Sequence, residues 1–377
     1  MKIVMVGGGT GGHVYPAIAI AEAIQDKILD SQILFIGSEG GIEEKIVAEA
    51  RFSLATIKAR GMLRKISYKA ISSPFLAVVG FFDSLRVLKI FNPDIIVATG
   101  GFVSLPVVIA AFYLKVPVIL HEGNAIPGLS TRICKWFASC ITIAFESQRK
   151  YFRWRKVYCI GGPVRREITK AIKGIAIQNM GLRQNQKIVL VLGGSQGARS
   201  LNKIMIDVLP DLAKLNIQII HVCGERDYSW VKEGVKAEQT FYHLFPYMHN
   251  IWDGLAACDL VVSRAGATVI SEIIARQLPS ILIPFPFSAE KHQDLNANIL
   301  KEAGASVVIK DDDLNKALLL REIDRILNDR ELYAGMRAAA ATLGKPDAAY
   351  EFVNIIANLL GIDLYAYKRR KRARKQP

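Results

Sequence analysis

Short β-branched runs alternate with helix-length stretches along the first half of the chain. KIVMV (2–6) reads as a strand and Val14–Lys27 as a helix. QILFIG (32–37) is a second strand, Gly41–Ala50 a short helix and Ser53–Ile57 a third strand. A basic loop, Lys58–Lys69, leads into an apolar helix ending at Phe91, and Asp94–Ala98, Pro117–His121 and Ile141–Ala144 read as further strands. The pattern restarts at Lys187. There KIVLVLGGSQGARS repeats the order of KIVMVGGGTGGHVY: a β-branched strand, a glycine turn, a small hydroxyl residue, then a helix. QIIHVCG (218–224), DLVVSRAG (259–266), PSILIPF (279–285) and SVVIK (306–310) follow as strands, alternating with helices Thr268–Arg276, Gln293–Ala303 and Asp313–Leu327.

Strands alternating with helices predict parallel, doubly wound sheets. The restart predicts two α/β Rossmann-like domains, facing each other across a cleft lined by glycine loops. GGPVR at Gly161–Arg165 separates the two alternations, which places the domains at 1–163 and 164–344. A last helix, Asp347–Leu360, follows Gly344-Lys345-Pro346 and is expected to join the first domain as 345–362.

Hydropathy raises one competing reading. Ile95–Leu120 carries a single charge, Lys115, and is long enough for a membrane span. Its punctuation favours a buried β-α-β unit: IIVAT is strand-like, GGFVS is a turn, a proline opens the helix-like LPVVIAAFYLK, and VPVIL is strand-like again. Parallel strands buried on both faces give the same hydropathy. Half of the 377 residues are hydrophobic, which excludes a disordered chain and supplies two cores. Five scattered cysteines without a CxxC argue against a disulfide scaffold or structural zinc and fit a reducing cytoplasm. Met1–Val6 is strand-like and followed at once by glycines, unlike a secretory signal.

Charge adds a surface. Seven of the eight residues Lys368–Lys375 are basic, and removing seven charges from +15 leaves +8. Such a tail (366–377) suits an anionic partner. The helix Ser72–Phe91 is apolar over its first half and flanked by Arg60, Arg64, Lys65, Lys69, Arg86 and Lys89. It reads either as core or as an apolar patch ringed by cations that docks on anionic lipid. Arg149–Lys156 mixes five cations with three aromatics. That mixture also suits nucleic acid, but no nucleic-acid-binding motif accompanies it, so none is expected as a partner.

The chemistry concentrates after strands. Gly7-Gly8-Gly9-Thr10-Gly11-Gly12-His13 follows a strand and opens a helix, where glycines admit a ligand to the backbone and the helix N-terminus favours an anion. Gly7, Gly9 and Gly12 also satisfy the dinucleotide fingerprint, but the acid expected to close the second strand comes late, at Glu39. Phosphate or sugar-nucleotide contact, NAD binding and a purely structural turn all stand as readings. Gly193–Gly197, with Ser195, occupies the matching place in the second half, and Gly100-Gly101-Phe102 is a third such turn. Glu272 follows SRAGAT and either complements a helix dipole or accepts ribose hydroxyls. His292-Gln293-Asp294 with Asn296 is either a surface helix start or a set of groups suited to sugar hydroxyls. His13, His121 and Glu122 lie at strand ends and are the candidates for a general base. Asp311-Asp312-Asp313 reads as an N-cap cluster before a Leu-rich helix rather than a metal site. Metal-independent chemistry without a cofactor is expected.

Taken together, GGGTGGHVYPA, ATGGFVS, LHEGNAIPGLSTR, GGPVR, GGSQGARSLN, PYMHN, SRAGATVISE and HQDLNAN resemble the MurG family over nearly the whole chain to about Tyr365. The resemblance implies a GT-B fold. It also implies inverting transfer of N-acetylglucosamine from UDP-GlcNAc to the C4 hydroxyl of the muramoyl sugar of lipid I, giving lipid II at the cytoplasmic face of the inner membrane. By matching position it implies that Thr10, Gly11 and Gly12 touch the donor, and that Asn124 and Gln293 contact the sugar. Arg165 and Ser195 would hold the diphosphate, the Met248 backbone would pair the uracil, and Glu272 would bind the ribose. Ala267 and Thr268 join the donor site, and His13 and Glu122 are the catalytic candidates. Gly123, Gly162 and Met248 stand where the family usually has Gln, Asn and Ile. A related GT-B enzyme with another lipid acceptor, such as a diacylglycerol, and a UDP-GlcNAc 2-epimerase are the alternatives.

Overall fold

The computed structural model describes residues 1–28, 30–59, 73–194, 197–235 and 240–363, with the side chains of 73–77 excepted. Arg60, Arg64, Lys65, Lys69, Ser195 and the 366–377 tail lie outside the described residues. The chain divides into two units, Met1–Arg166 together with the chain from Lys345 onward, and Glu167–Gly344.

The first unit carries β1 (Lys2–Val6), α1 (Gly11–Lys27), β2 (Gln32–Ser38), α2 (Ile42–Glu49), β3 (Ser53–Ile57), α3 (Ser73–Phe91) and β4 (Ile95–Ala98). Next come α4 (Ser104–Tyr113), β5 (Val118–Glu122), α5 (Leu129–Cys134), β6 (Cys140–Ile143) and β7 (Val157–Cys159). Its seven strands pair in parallel in the order β3-β2-β1-β4-β5-β6-β7. Alternation decides which residue faces which layer. Ile3 and Met5 pack under α1 with Phe352 and Ile356 of the C-terminal helix, Ala348–Leu360. Val4 and Val6 face the opposite layer with Val107, Val108 and Ala111 of α4. Every second residue is therefore apolar for a different neighbour, which is why β1 reads as a continuous hydrophobic run. The long apolar stretch is the crossover β4–α4–β5, and among the described residues no helix is long and apolar enough to cross a membrane.

After two short helices, α6 (Arg166–Lys170) and α7 (Lys173–Asn179), the second unit builds its own sheet. It contains β8 (Lys187–Leu192), α8 (Arg199–Leu212), β9 (Ile217–Val222), α9 (Tyr228–Gly234), β10 (Tyr242–Phe245) and α10 (Ile251–Ala257). It continues through β11 (Leu260–Ser263), α11 (Ala267–Ala275), β12 (Ser280–Leu282), α12 (His292–Glu302), β13 (Ser306–Val308), α13 (Lys316–Asn328) and α14 (Arg330–Leu343). Its six parallel strands run β10-β9-β8-β11-β12-β13. Both sheets thus reverse their strand order beside the first strand of the unit.

Three local expectations change. β7 forms directly after the aromatic-basic run, in which Phe152 is buried and Trp154 is exposed. α13 starts at Lys316 rather than Asp313, because the Asn315 side chain caps it by accepting from Leu318 N at 3.0 Å. The Asp311–Asp313 run is a single tight turn before that cap, not the cap itself.

Candidate active site

In a doubly wound sheet, loops leaving the two strands at the order reversal part to opposite sides and leave a crevice at the strands' carboxyl ends. In the first unit those strands are β1 and β4. β1 is followed by Gly7–Gly12, and β4 by Thr99–Phe102. The two loops are pressed together. Gly101 has φ +86°, and a Cβ there would strike the Gly8 carbonyl. Gly9 has φ +81°, and a Cβ there would lie 2.8 Å from the Phe102 ring. Thr10, with extended backbone, is the N-cap of α1, and Thr10, Gly11 and Gly12 form the helix's open end.

His13 sits in the first turn of α1 and is held from several sides. Its Nδ1 is 3.1 Å from the Gly8 carbonyl and 3.3 Å from Thr10 Oγ1. A carbonyl only accepts, so the neutral ring carries its proton on Nδ1 and its lone pair on Nε2. Thr99 Oγ1 donates to the His13 carbonyl at 2.7 Å, tying the residue to the end of β4. Gly100, at φ +108°, leaves room for the ring: a Cβ there would lie 2.9 Å from His13 Cδ2.

The end of β5 is organised differently. His121 is fully buried, and its Nδ1 meets Thr142 Oγ1 at 3.0 Å, while that hydroxyl donates to Leu120 O at 3.1 Å. Burial pushes its pKa down to about 3, and the nearby His13 adds to the effect. His121 is therefore a neutral residue of the core, edge-on to Phe352. Glu122 is also buried. Its Oε1 accepts from Asn124 N at 2.9 Å and Asn124 Nδ2 at 3.2 Å, and its Oε2 from Gly128 N at 3.2 Å. Buried Gln148 donates to the carbonyls of Glu122 (3.1 Å) and Asn124 (2.5 Å). Glu122 and Gln148 together fix the loop that presents Asn124. Arg165 lays its guanidinium over the Tyr15 ring of α1, 4.6 Å from the centroid.

In the second unit the reversal lies between β8 and β11. Gly197, at φ +78°, turns so close to Asp227 that a Cβ would lie 2.7 Å from its carboxylate. Asn202 of α8 donates to Asp227 Oδ2 and Cys223 O, both at 2.9 Å, and pairs with His221 Nε2 at 3.0 Å. His221 is buried, bonded to Tyr242 at 2.6 Å, and burial holds its pKa down to about 3. Arg264, after β11, donates to Asp311 at 2.6 Å and Ser200 Oγ at 2.8 Å, and to the carbonyls of Ile283 and Pro284. Asp311 is thus an ion-pair partner that joins the ends of three strands. Gln293 of α12 accepts from Ala265 N at 3.2 Å and Phe285 N at 2.9 Å, and buried Asn296 donates to Ala265 O at 3.1 Å. Both amides shape the loop feeding α11, whose first residues are Ala267 and Thr268 and whose second turn carries the buried Glu272. Met248 lies after β10, beside Gly254.

Sequence reasoning missed Glu43, Thr99, Gln148, Asn202 and the partners of Arg264. Each acts across loops far apart in the chain, and none belongs to a local spacing. The arrangement in each unit is that of a ligand site: glycine loops and helix N-termini at a strand-order reversal, with polar side chains bracing them.

Comparison with known proteins agrees. Residues 3–143 match the glycosyltransferase family 28 N-terminal domain and residues 188–352 its C-terminal domain. A UDP-N-acetylglucosamine--N-acetylmuramyl-(pentapeptide) pyrophosphoryl-undecaprenol N-acetylglucosamine transferase of Moorella thermoacetica is 39% identical, covering 94% of this chain and 98% of its own length. The enzyme of the same name from Thermoanaerobacter sp. (strain X514) is 37% identical over 95% of this chain and 100% of its own. The crystal structure of MurG from Acinetobacter baumannii has a TM-score of 0.72 at 23% identity, covering 95% of this chain and 99% of that one. A UDP-GlcNAc 2-epimerase from Neisseria meningitidis, bound to UDP-GlcNAc, shares the fold at a TM-score of 0.68 and 13% identity. The chain belongs to the MurG family of N-acetylglucosaminyltransferases, built on the two-domain GT-B fold.

Proposed function

We propose that this chain transfers N-acetylglucosamine from UDP-GlcNAc to the C4 hydroxyl of the muramoyl sugar of lipid I, with inversion, in peptidoglycan synthesis. The observation that carries the chemistry is the seating of His13. Its Nδ1–H is spent on Gly8 O, so Nε2 is the nitrogen that takes a proton. As the acceptor O4 bonds to the sugar C1, its proton passes to His13 Nε2. The bond from C1 to the diphosphate oxygen breaks, and its electron pair leaves with UDP. Glu122, filled by loop N–H groups, positions Asn124 rather than moving this proton.

The donor's uridine is assigned to the second unit. The Met248 backbone reads the uracil, Glu272 takes the ribose hydroxyls, and Ala267, Thr268 and Gln293 complete the site. Ser195 and Arg165 are assigned to the diphosphate, and Thr10, Gly11, Gly12 and Asn124 to the remaining donor contacts. Helix N-termini and a guanidinium supply the stabilisation of the departing charge, so transfer is expected to continue in EDTA. No cofactor is required.

The first unit is assigned to the membrane surface and the lipid acceptor. α3, α4 and α5 pack side by side and, with the turn after α5, expose Phe82, Ile90, Phe112, Tyr113, Leu129 and Trp136. Arg86 and Lys89 border the groove beside Phe82 and Ile90. Lys135 and Arg155 flank Trp136 at 5.3 and 5.6 Å from its ring. Aromatic groups among cations suit the headgroup layer of an anionic leaflet. A Phe82→Ser, Ile90→Ser double variant tests this. It should bind anionic vesicles about 100- to 10,000-fold more weakly, given roughly 1.5–3 kcal/mol for each of the two large apolar side chains, and keep its rate on a short-chain soluble acceptor. Unchanged vesicle binding would sink the assignment.

A further inference from the structure

We propose that Glu43 is a positioning residue for His13, acting through the peptide bond between Gly8 and Gly9; the proposal rests on the reading of His13 as the base. Glu43 is the second residue of α2 and is almost fully buried. Its Oε1 accepts from Ser38 N and Ser38 Oγ, both at 2.7 Å, and its Oε2 accepts from Gly9 N at 3.2 Å. The carbonyl of that same peptide group, Gly8 O, accepts from His13 Nδ1 at 3.1 Å. A carboxylate and an imidazole thus grip opposite ends of one amide.

Hydrogen bonds in such a chain polarise one another, by about 10–30% per bond. Glu43 draws on the amide proton, so Gly8 O becomes a better acceptor for Nδ1–H. This fixes the tautomer that puts the lone pair on Nε2, and it stabilises the imidazolium formed when Nε2 takes the acceptor's proton. The carboxylate–histidine pairing of hydrolytic triads is reproduced here with a peptide bond inserted.

The surrounding glycines make room for this arrangement. A Cβ on Gly8 would lie 2.7 Å from Glu43 Oε1, one on Gly41 would lie 2.5 Å from Glu43 Cδ, and one on Gly37 would overlap its Cγ. On the other side Gly100 clears the His13 ring. Another titratable group coupled to His13 is His121, which is neutral, and the guanidinium of Arg165 lies over Tyr15, two residues further along α1. A purely structural Glu43 would serve only to bridge the β2–α2 turn through Ser38. It would then leave the ionisation of His13 untouched.

The test uses the full chain with 15N-labelled histidine, the His13 signals being assigned by their loss in His13→Gln. In the unsubstituted protein, long-range 15N–1H correlations should show His13 as the Nδ1–H tautomer. In Glu43→Gln the His13 pKa should fall, the acid limb of kcat/KM should move to lower pH, and kcat should drop about 10-fold. UDP binding should stay unchanged. A limb that moves toward acid while the plateau falls is the signature of a weakened base, which a merely loosened fold does not produce. An Nε2–H tautomer in the unsubstituted protein overturns the proposal without needing any Glu43 variant to fold. So does a Glu43→Gln protein with the same His13 pKa and the same acid limb. If His13→Gln transfers at the full rate, the base assignment falls instead, and the tautomer and pKa readings still decide whether Glu43 acts on His13.

Discussion

At the scale of single residues, the site is built by what glycine leaves out. Gly100 combines a left-handed backbone with contact against the His13 ring. Gly100→Ala should therefore cost about 1–3 kcal/mol of stability from backbone strain alone. It should also displace the ring, so that kcat falls further than the loss of folded protein explains. Calorimetry beside single-turnover rates separates the two effects. His13→Gln keeps a hydrogen-bonding side chain but no base. It should lower kcat by about 100- to 10,000-fold with UDP-GlcNAc binding unchanged, as read by calorimetric titration. In the unsubstituted enzyme kcat/KM should rise with pH through the pKa of His13 to a plateau, because the neutral ring is the active form. Of these residues the sequence displays His13 and the glycines, since each sits in a short glycine run directly after a strand. Glu43 and Thr99 stay hidden, because each acts through a backbone group more than thirty residues away.

At the scale of elements, the glycine loops are held by polar residues on neighbouring elements. Arg264, Asp311 and Ser200 tie together the exits of β11 and β13 and the start of α8. Both charges are largely buried, with side chains 11% and 17% exposed. Arg264→Ala strands the carboxylate and should destabilise the second unit by about 2 kcal/mol, below the roughly 3–5 kcal/mol of a fully buried pair. It should also raise KM for UDP-GlcNAc, because the α11 loop loses its anchor; denaturant midpoints and initial rates check both. The β-α alternation was legible here because each strand is apolar on both faces and each turn carries glycine. β10 and α14 were not legible. β10 is a four-residue edge strand of mostly half-exposed residues, and its register with β9 is set by pairing rather than by local pattern. α14 is capped by Asp329, whose side chain accepts from Leu332 N, and this cap is the one residue between the end of α13 at Asn328 and the start of α14 at Arg330. Two helices run so close that they read as one polar stretch.

At the scale of the whole molecule, the two units repeat one plan and each buries a neutral histidine. The pKa values of His121 and His221 are held down to about 3 from 6.5. Their stabilising contribution is complete above pH 6.5. It is lost as pH falls, because the unfolded chain takes up the protons first. Each should cost about 1.4 kcal/mol per pH unit between those limits. In His221→Gln the fall in unfolding free energy with decreasing pH should be shallower by that amount for the second unit, while an unchanged slope would mean His221 is not held neutral. The two-domain organisation was legible as a repeat of strand, glycine turn and helix, and the apolar α4 region resolved as a crossover between parallel strands.

The central claim is the transfer itself. Radiolabelled UDP-GlcNAc is incubated with a short-chain lipid I analogue in detergent and EDTA, with and without the acceptor. The account predicts that label enters the lipid fraction only when the muramoyl acceptor is present, and that His13→Gln slows its entry by about 100- to 10,000-fold. Label that stays out of lipid while UDP-GlcNAc is converted to its 2-epimer without any acceptor would contradict it.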